Sequence, residues 1–150
     1  MNSKNGPDTI DWKILELLQQ NARTANTEIG RIVGLSQPAV TSRIQRLEDA
    51  GVIEGYTARV NPKRVGREIS ALIRLRTSHA HIHACLKLFD RVPEILEAYR
   101  VTGEDCFVVK ATFDRMTRLE KTIDALAKFG EVTTSMILAT YAAKPLTHSE

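Results

Sequence analysis

Thr27-Glu28-Ile29-Gly30-Arg31-Ile32-Val33-Gly34-Leu35-Ser36-Gln37-Pro38-Ala39-Val40-Thr41-Ser42-Arg43-Ile44-Gln45-Arg46-Leu47 is the stretch whose reading decides the fold. Ile29, Ile32 and Val33 recur at helical spacing, and Gly34 follows where a helix commonly ends. Ser36 is placed to cap a second helix, and Pro38 falls in its first turn, where a missing N–H costs nothing. Val40, Ile44 and Leu47 then mark a buried stripe that runs to about Ala50 and stops at Gly51. A short helix, a Gly-containing turn and a serine-capped helix form a helix–turn–helix. In that arrangement the N-terminal side chains of the second helix are presented to a major groove.

Upstream, Thr9 to Gln20 predicts another helix, with Ile10, Ile14, Leu15, Leu17 and Leu18 on one side. Asp8 is its N-cap, and Asp11 puts a second acid in its first turn. Trp12 is expected to pack, partly buried, against this helix. Downstream, Val52–Val60 predicts two short strand-like arms about Gly55, ending at Asn61-Pro62. Residues 62–68, with Lys63, Arg64 and Arg67, read as a linker.

The remainder has a different rhythm. Ile69–Thr77 alternates like a strand, and Ser78–Asp90 carries Ile82, Cys85, Leu86 and Phe89 at helical spacing. Strands are expected at Ile95–Val101, Cys106–Phe113 and Val132–Ala142, with a helix over Thr117–Phe129 carrying Leu119, Ile123, Leu126 and Ala127 inward. The order β-α-β-β-α-β is that of a ferredoxin-like unit, in which an antiparallel sheet carries two helices on one face. The fold class is therefore α+β, divided into an N-terminal helix–turn–helix (winged-helix-like) domain over 1–61, a linker over 62–68 and a ferredoxin-like domain over 69–150. Each half is small for an independent core, so self-association is expected.

With 26% charged and 43% hydrophobic residues, the 150-residue chain reads as globular, and its net charge is only +3. The placement of charge says more than its sum. From Ile29 to Leu47 there are three arginines and no acid, and from Gly55 to Arg67 the basic residues Arg59, Lys63, Arg64 and Arg67 again meet no acid. Double-stranded DNA is the partner that such a face fits. Ser36, Gln37, Thr41, Ser42, Gln45, Arg43 and Arg46 are read as the exposed positions of the recognition helix. The arginines suit phosphates, and the short donors and acceptors suit base edges.

No apolar run approaches a bilayer span, and the first seven residues lack a signal-peptide core. Cys85 and Cys106 cannot build a disulfide framework. These features predict a cytoplasmic, nucleoid-associated protein with no membrane partner. His79, His81 and His83 near Cys85 do not make the paired ligand clusters of a metal site and read as solvent-facing residues. Cys106 reads as a buried strand residue without a base to activate it. With no acid–base pair, phosphate loop or metal signature, neither catalysis nor a cofactor is expected.

The segments Asp8–Leu15, Asn21-Ala22-Arg23, Gly34-Leu35-Ser36 and Arg43–Tyr56 resemble the DNA-binding half of the Lrp/AsnC (feast/famine) regulators. Val101-Thr102-Gly103-Glu104 and the β-α-β-β-α-β order resemble that family's effector-binding half. The resemblance implies a homodimer held by the ferredoxin-like sheets and assembling to tetramers or octamers, with amino-acid effectors bound at contacts between dimers. The DNA contacts expected on the recognition helix are Ser36, Gln37, Pro38, Thr41, Ser42, Arg43 and Arg46. The resemblance also implies effector contacts from Val101, Thr102, Gly103, Glu104, Asp105 and Cys106, with Thr133, Thr134 and Ser135 of a neighbouring subunit as the opposing wall.

Read from the residues alone, the Thr102–Phe107 turn is either a plain hairpin or a place where backbone N–H groups meet a carboxylate and Glu104 or Asp105 meets an amino group. The chain departs from the commoner family pattern, Gly-Asp-x-Asp-aromatic, by placing Cys106 at the second acid. An architectural DNA organiser that senses no ligand is the alternative function.

Overall fold

In the computed structural model, residues 6–141 and 143–148 are described. Contacts divide them into two compact units, one running up to Ala58 and including the C-terminal stretch from residue 143, the other spanning Arg59–Tyr141.

The first unit holds α1 (Thr9–Gln20), α2 (Asn26–Val33) and α3 (Gln37–Asp49). Asp8 caps α1 reciprocally. Its side chain accepts from the Asp11 N–H while the Asp11 side chain accepts from the Asp8 N–H, which satisfies two otherwise orphaned donors. Ile14, Ile29 and Val40, one from each helix, form the buried centre, with Ile10, Leu17, Leu18, Val33, Leu35 and Ile44 around it. The turn between α2 and α3 is tight because Gly30 has no side chain. A Cβ built there meets the Leu35 carbonyl oxygen at 2.4 Å, closer than any non-bonded contact tolerates. Trp12 is half-buried.

The expected strand arms after α3 are absent. The Val52 and Ile53 N–H groups both turn back to the Leu47 carbonyl, finishing the helix rather than starting a ladder. From Gly55 to Asn61 the chain forms neither helix nor paired strand, and Tyr56 and Val60 are exposed. A strand needs a neighbour to accept its backbone groups, and among the described residues of this unit none supplies one.

The stretch from residue 143, assigned in the sequence reading to the second domain, belongs to the first unit. Gln19 clasps the Leu146 peptide from both sides, its Oε1 accepting from the N–H at 2.8 Å and its Nε2 donating to the carbonyl at 2.9 Å. His148 meets Trp12 edge-on.

The second unit contains β1 (Ile69–Thr77), α4 (Ile82–Arg91), β2 (Ile95–Arg100), β3 (Phe107–Phe113), α5 (Met116–Ala127) and β4 (Gly130–Met136). The sheet order is β2-β3-β1-β4, antiparallel throughout. Ala71, Ile73 and Leu75 of β1 point with Phe107, Val109 and Ala111 of β3 toward α4 and α5, where Cys85, Phe89, Leu119 and Leu126 complete the core. Leu86 and Ala127, expected inward, are exposed, and Thr122 is buried instead. Residues 79–81 form a separate 3-10 turn ahead of α4.

The stretch read as a linker is structured. Pro62–Val65 is a 3-10 turn capped by the Asn61 side chain, and Arg67 donates to the Pro93 carbonyl and the Thr112 hydroxyl. β4 ends at Met136, short of the expected Ala142. Ala142 itself lies outside the described residues.

Candidate DNA interface and effector loop

The outer side of α3 carries a shallow groove lined by Gln37, Pro38, Thr41, Ser42, Gln45, Arg46 and Asp49. Five of the seven expected DNA contacts therefore share one surface, and Ser36 sits exposed at its N-terminal end. The Ser36 hydroxyl oxygen accepts from the Ala39 N–H at 3.4 Å, which leaves its own proton free to donate. Thr41 is less free, since its hydroxyl donates to the Gln37 carbonyl and accepts from Asn26 Nδ2 of α2. The helix end is therefore a neutral array of short donors and acceptors presented without acidic residues in its first turn, which suits groove readout.

The arginines are placed differently from the expectation. Arg43, read as exposed, is half-buried. Its Nη1 donates to Asp8 Oδ2 at 2.6 Å and to Asp11 Oδ1 at 2.8 Å. Arg46 donates to Asp11 Oδ2 at 2.6 Å. The Asp11 side chain is only 1% exposed, whereas that of Arg46 is 56% exposed. A buried carboxylate is tolerable only when its charge and lone pairs are met, and here two arginines and the Asp8 N–H meet them. The Arg43 guanidinium beside Asp8 holds that carboxyl below its ordinary value.

Arg31 is likewise paired, with Glu28 at 2.7 Å. The acid-free run from Ile29 to Leu47 is thus met by acids outside it, and of its cations Arg31 and Arg46 keep largely exposed guanidiniums with one ion pair each. Asp11 is the residue that sequence reasoning missed. The sequence marks it as a first-turn acid, and its place in the capping box turns its side chain back toward the helix start. Tyr56, after α3, donates to Glu48 at 2.7 Å. Although the residue is half exposed overall, partial desolvation, then the Glu48 hydrogen bond and charge, push its phenol up to about 12.

In the second unit, residues 101–106 join β2 to β3 as an exposed loop closed by the Val101 N–H donating to the Cys106 carbonyl. Gly103 has φ 105°, a backbone that only glycine adopts without strain. Val101, Thr102, Gly103 and Glu104 are exposed and Asp105 is half-buried. Cys106, expected to begin the strand, lies just before it. Its thiol turns inward, donating to the Thr77 carbonyl at 2.8 Å, while its N–H donates to Leu75.

The second set of effector residues is on β4. Register pairs Thr133 with Arg74 and Ser135 with Leu72, both on the sheet side away from the helices, while Thr134 opposes the core residue Ile73. Within one chain β1 separates this set from the loop, so the structure brings each set together but does not join the two. Among the described residues no cluster of three metal-ligating side chains occurs, and no helix is long and apolar enough to cross a membrane. His81 Nδ1 donates to the Phe129 carbonyl at 3.1 Å, and its ring stacks edge-on against that of Phe129.

A capped recognition helix behind a glycine-tight turn, joined to a ferredoxin-like sheet with a glycine loop at one end, defines a DNA-binding regulator with a ligand-binding domain. Comparison with known proteins specifies the family. Residues 7–54 match the winged helix-turn-helix DNA-binding model, and residues 70–146 match the Lrp/AsnC ligand binding domain. The chain belongs to the Lrp/AsnC family of transcriptional regulators.

It is 38% identical to the regulator Ptr1 of Methanocaldococcus jannaschii, over 81% of this chain and 78% of that one. It is 32% identical to the uncharacterised regulator YezC of Bacillus subtilis, over 92% and 98%. Among solved structures, B. subtilis LrpC superposes with a TM-score of 0.87 at 28% identity, covering 93% of this chain and 100% of that one. A Neisseria meningitidis transcriptional regulator solved as its L-Met complex superposes with a TM-score of 0.82 at 29% identity, covering 91% and 93%.

Proposed function

We propose that this regulator binds specific DNA sequences as a homodimer or a larger assembly of dimers, and that a small effector, an amino acid, shifts both its assembly and its DNA binding. The observation that carries the DNA half of this reading is the acid-free, hydrogen-bonding N-terminal end of α3. Ser36, Gln37, Pro38 and Ser42 stand exposed on it, and Thr41 is held in place by Asn26. In this reading Ser36, Gln37 and Ser42 contact base edges, Thr41 and Pro38 shape the approach, and Arg46 reaches a phosphate. Arg43 contributes by holding α3 against α1, since both of its carboxylate partners lie on that side. Two recognition helices of a dimer would enter successive major grooves, so half-sites about 34 Å apart are expected.

The effector half rests on the loop of residues 101–106, and a relative of similar fold was solved with L-Met. Backbone N–H groups around Gly103 suit a carboxylate, and Glu104 and Asp105 are the acids available for the amino group. Cys106, its thiol spent on Thr77, shapes the loop rather than receiving the ammonium. Thr133 and Ser135 of a second subunit would close the site from the open side of its sheet. That side also exposes Leu72 and Tyr99, an apolar surface suited to packing against another copy.

The test combines light scattering with fluorescence anisotropy on labelled duplex, with and without each of the common amino acids. One or a few amino acids should change both the mass and the DNA affinity. Arg46→Ala should weaken binding to all sequences and lower the salt slope by about one; an unchanged slope removes Arg46 from the phosphate track. DNA binding that is intact while no amino acid has any effect would make the protein an architectural organiser instead.

A further inference from the structure

A second site of a different kind lies in the ligand-binding unit. The turn from α4 into β2 and the first turns of α5 enclose a cleft of about 450 Å³, lined by Arg91, Glu94, Arg115, Thr117, Arg118 and Lys121 among others. A volume of this order is that of small-molecule pockets, which run from about 300 to 1,000 Å³. The effector loop follows the C-terminal end of β2 and this cleft precedes its N-terminal end, so the two lie at opposite ends of the sheet.

The charge in the cleft is one-sided. Four cations face one carboxylate. Asp114, which is not part of the lining, also engages Arg115 at 2.9 Å and Arg118 at 3.4 Å, and even with it counted two positive charges are left over. Arg91 and Lys121 make no ion pair among the described residues.

Glu94 is the unusual member. It is 9% exposed, and it accepts from Arg118 Nη1 at 2.5 Å. A buried glutamate is expensive unless paired, and this one spends its pairing on fixing the direction of one guanidinium. Orienting an arginine ahead of its ligand reduces the entropy lost when the ligand is bound. Alongside, α5 begins at Met116, and its N-cap Arg115 offers no side-chain acceptor to the first helical amides, so an anion in the cleft would also meet that end of the helix.

We propose that this cleft binds a small soluble dianion, a phosphate monoester or a dicarboxylate, held by Arg91, Arg115, Arg118 and Lys121 with Arg118 oriented by Glu94. The concavity favours a small molecule over a duplex backbone, because a rod of DNA would need a convex ridge or an open track of cations.

Calorimetric titration of the full chain tests this with inorganic phosphate, pyrophosphate, succinate and citrate at matched ionic strength. The comparison protein is the Arg91→Gln/Lys121→Gln double variant, which removes exposed side chains that make no ion pair among the described residues and leaves the pair of half-exposed Arg118 with buried Glu94 intact. Saturable binding of at least one probe is expected, weakened tenfold or more in the double variant, while the response to amino acids is unchanged. Binding confined to the phosphate probes or to the carboxylate probes identifies which dianion the cleft prefers. No saturable heat from any probe overturns the proposal, as does equal binding by the variant. A variant that instead loses duplex affinity, with a salt slope smaller by about two, overturns it by making the cleft a DNA surface.

Discussion

Replacing Asp11 by Asn is the sharpest test of how the DNA-binding unit is held together. The carboxylate accepts from Arg43 at 2.8 Å, from Arg46 at 2.6 Å and from the Asp8 N–H at 3.0 Å. An asparagine keeps the shape but offers one acceptor oxygen, and its NH2 group must face a guanidinium that can only donate. At least one charge-assisted bond is lost and another becomes neutral. Such bonds contribute roughly 1.5–3 kcal/mol each when shielded.

The Arg46 side chain is 56% exposed and that of Arg43 26%, so solvent screens part of both, and relief of the carboxylate's desolvation offsets a little more. A net loss of about 2–3 kcal/mol is expected, lowering the melting point of this unit by about 10–20 °C. Trp12 is the chain's single tryptophan and adjoins Asp11, so its fluorescence during urea unfolding reports this unit specifically. A change below about 0.5 kcal/mol would refute the view that Asp11 holds α3 to α1. A double-mutant cycle with Arg43→Ala would then show where the coupling went.

Other consequences follow from particular contacts. Gly30→Ala should gain helix propensity of about 1 kcal/mol yet destabilise the unit by about 1–3 kcal/mol net, because its Cβ is placed 2.4 Å from the Leu35 carbonyl; a rise in the unfolding midpoint would count against that close approach. Asp8 has its folded pKa lowered, chiefly by the Arg43 hydrogen bond, so its contribution is present above the unfolded value near 3.9 and lost as pH falls through the lower folded value. The first unit should accordingly lose stability below about pH 4, and Asp8→Asn should flatten that fall in pH-dependent unfolding. In alkaline spectrophotometric titration, Tyr56, pushed up to about 12 by partial desolvation and its Glu48 hydrogen bond, should ionise well after an ordinary tyrosine, and Glu48→Gln should bring it down.

Much of the fold was legible because its signals are local. The Asp8 and Ser36 caps, the Gly34 stop and the apolar stripe of each helix, such as Val40, Ile44 and Leu47 on α3, each act within a few residues. The alternation of Ala71, Ile73 and Leu75 is equally short-ranged. The arms after Gly51 misled because Val52–Val60 has strand-like composition, whereas a strand exists only when a partner accepts its backbone groups. Of the effector residues, Gly103 and its neighbours were legible as a loop, but the inward turn of Cys106 depends on the Thr77 carbonyl, 29 residues away.

The amino-acid sequence by itself determined the order of elements, the capped recognition helix and the glycine positions, since each depends on interactions between near neighbours. Only the tertiary structure decided what the charges do. Arg43 and Arg46 stand in a run without acids, yet they meet Asp8 and Asp11 from 32 to 35 residues earlier, because the packing of α3 on α1 places the guanidiniums over a carboxylate already drawn inward by its capping box. A charge count along the chain measures separation in sequence, whereas the electrostatic energy depends on separation in space, and folding is what converts one into the other.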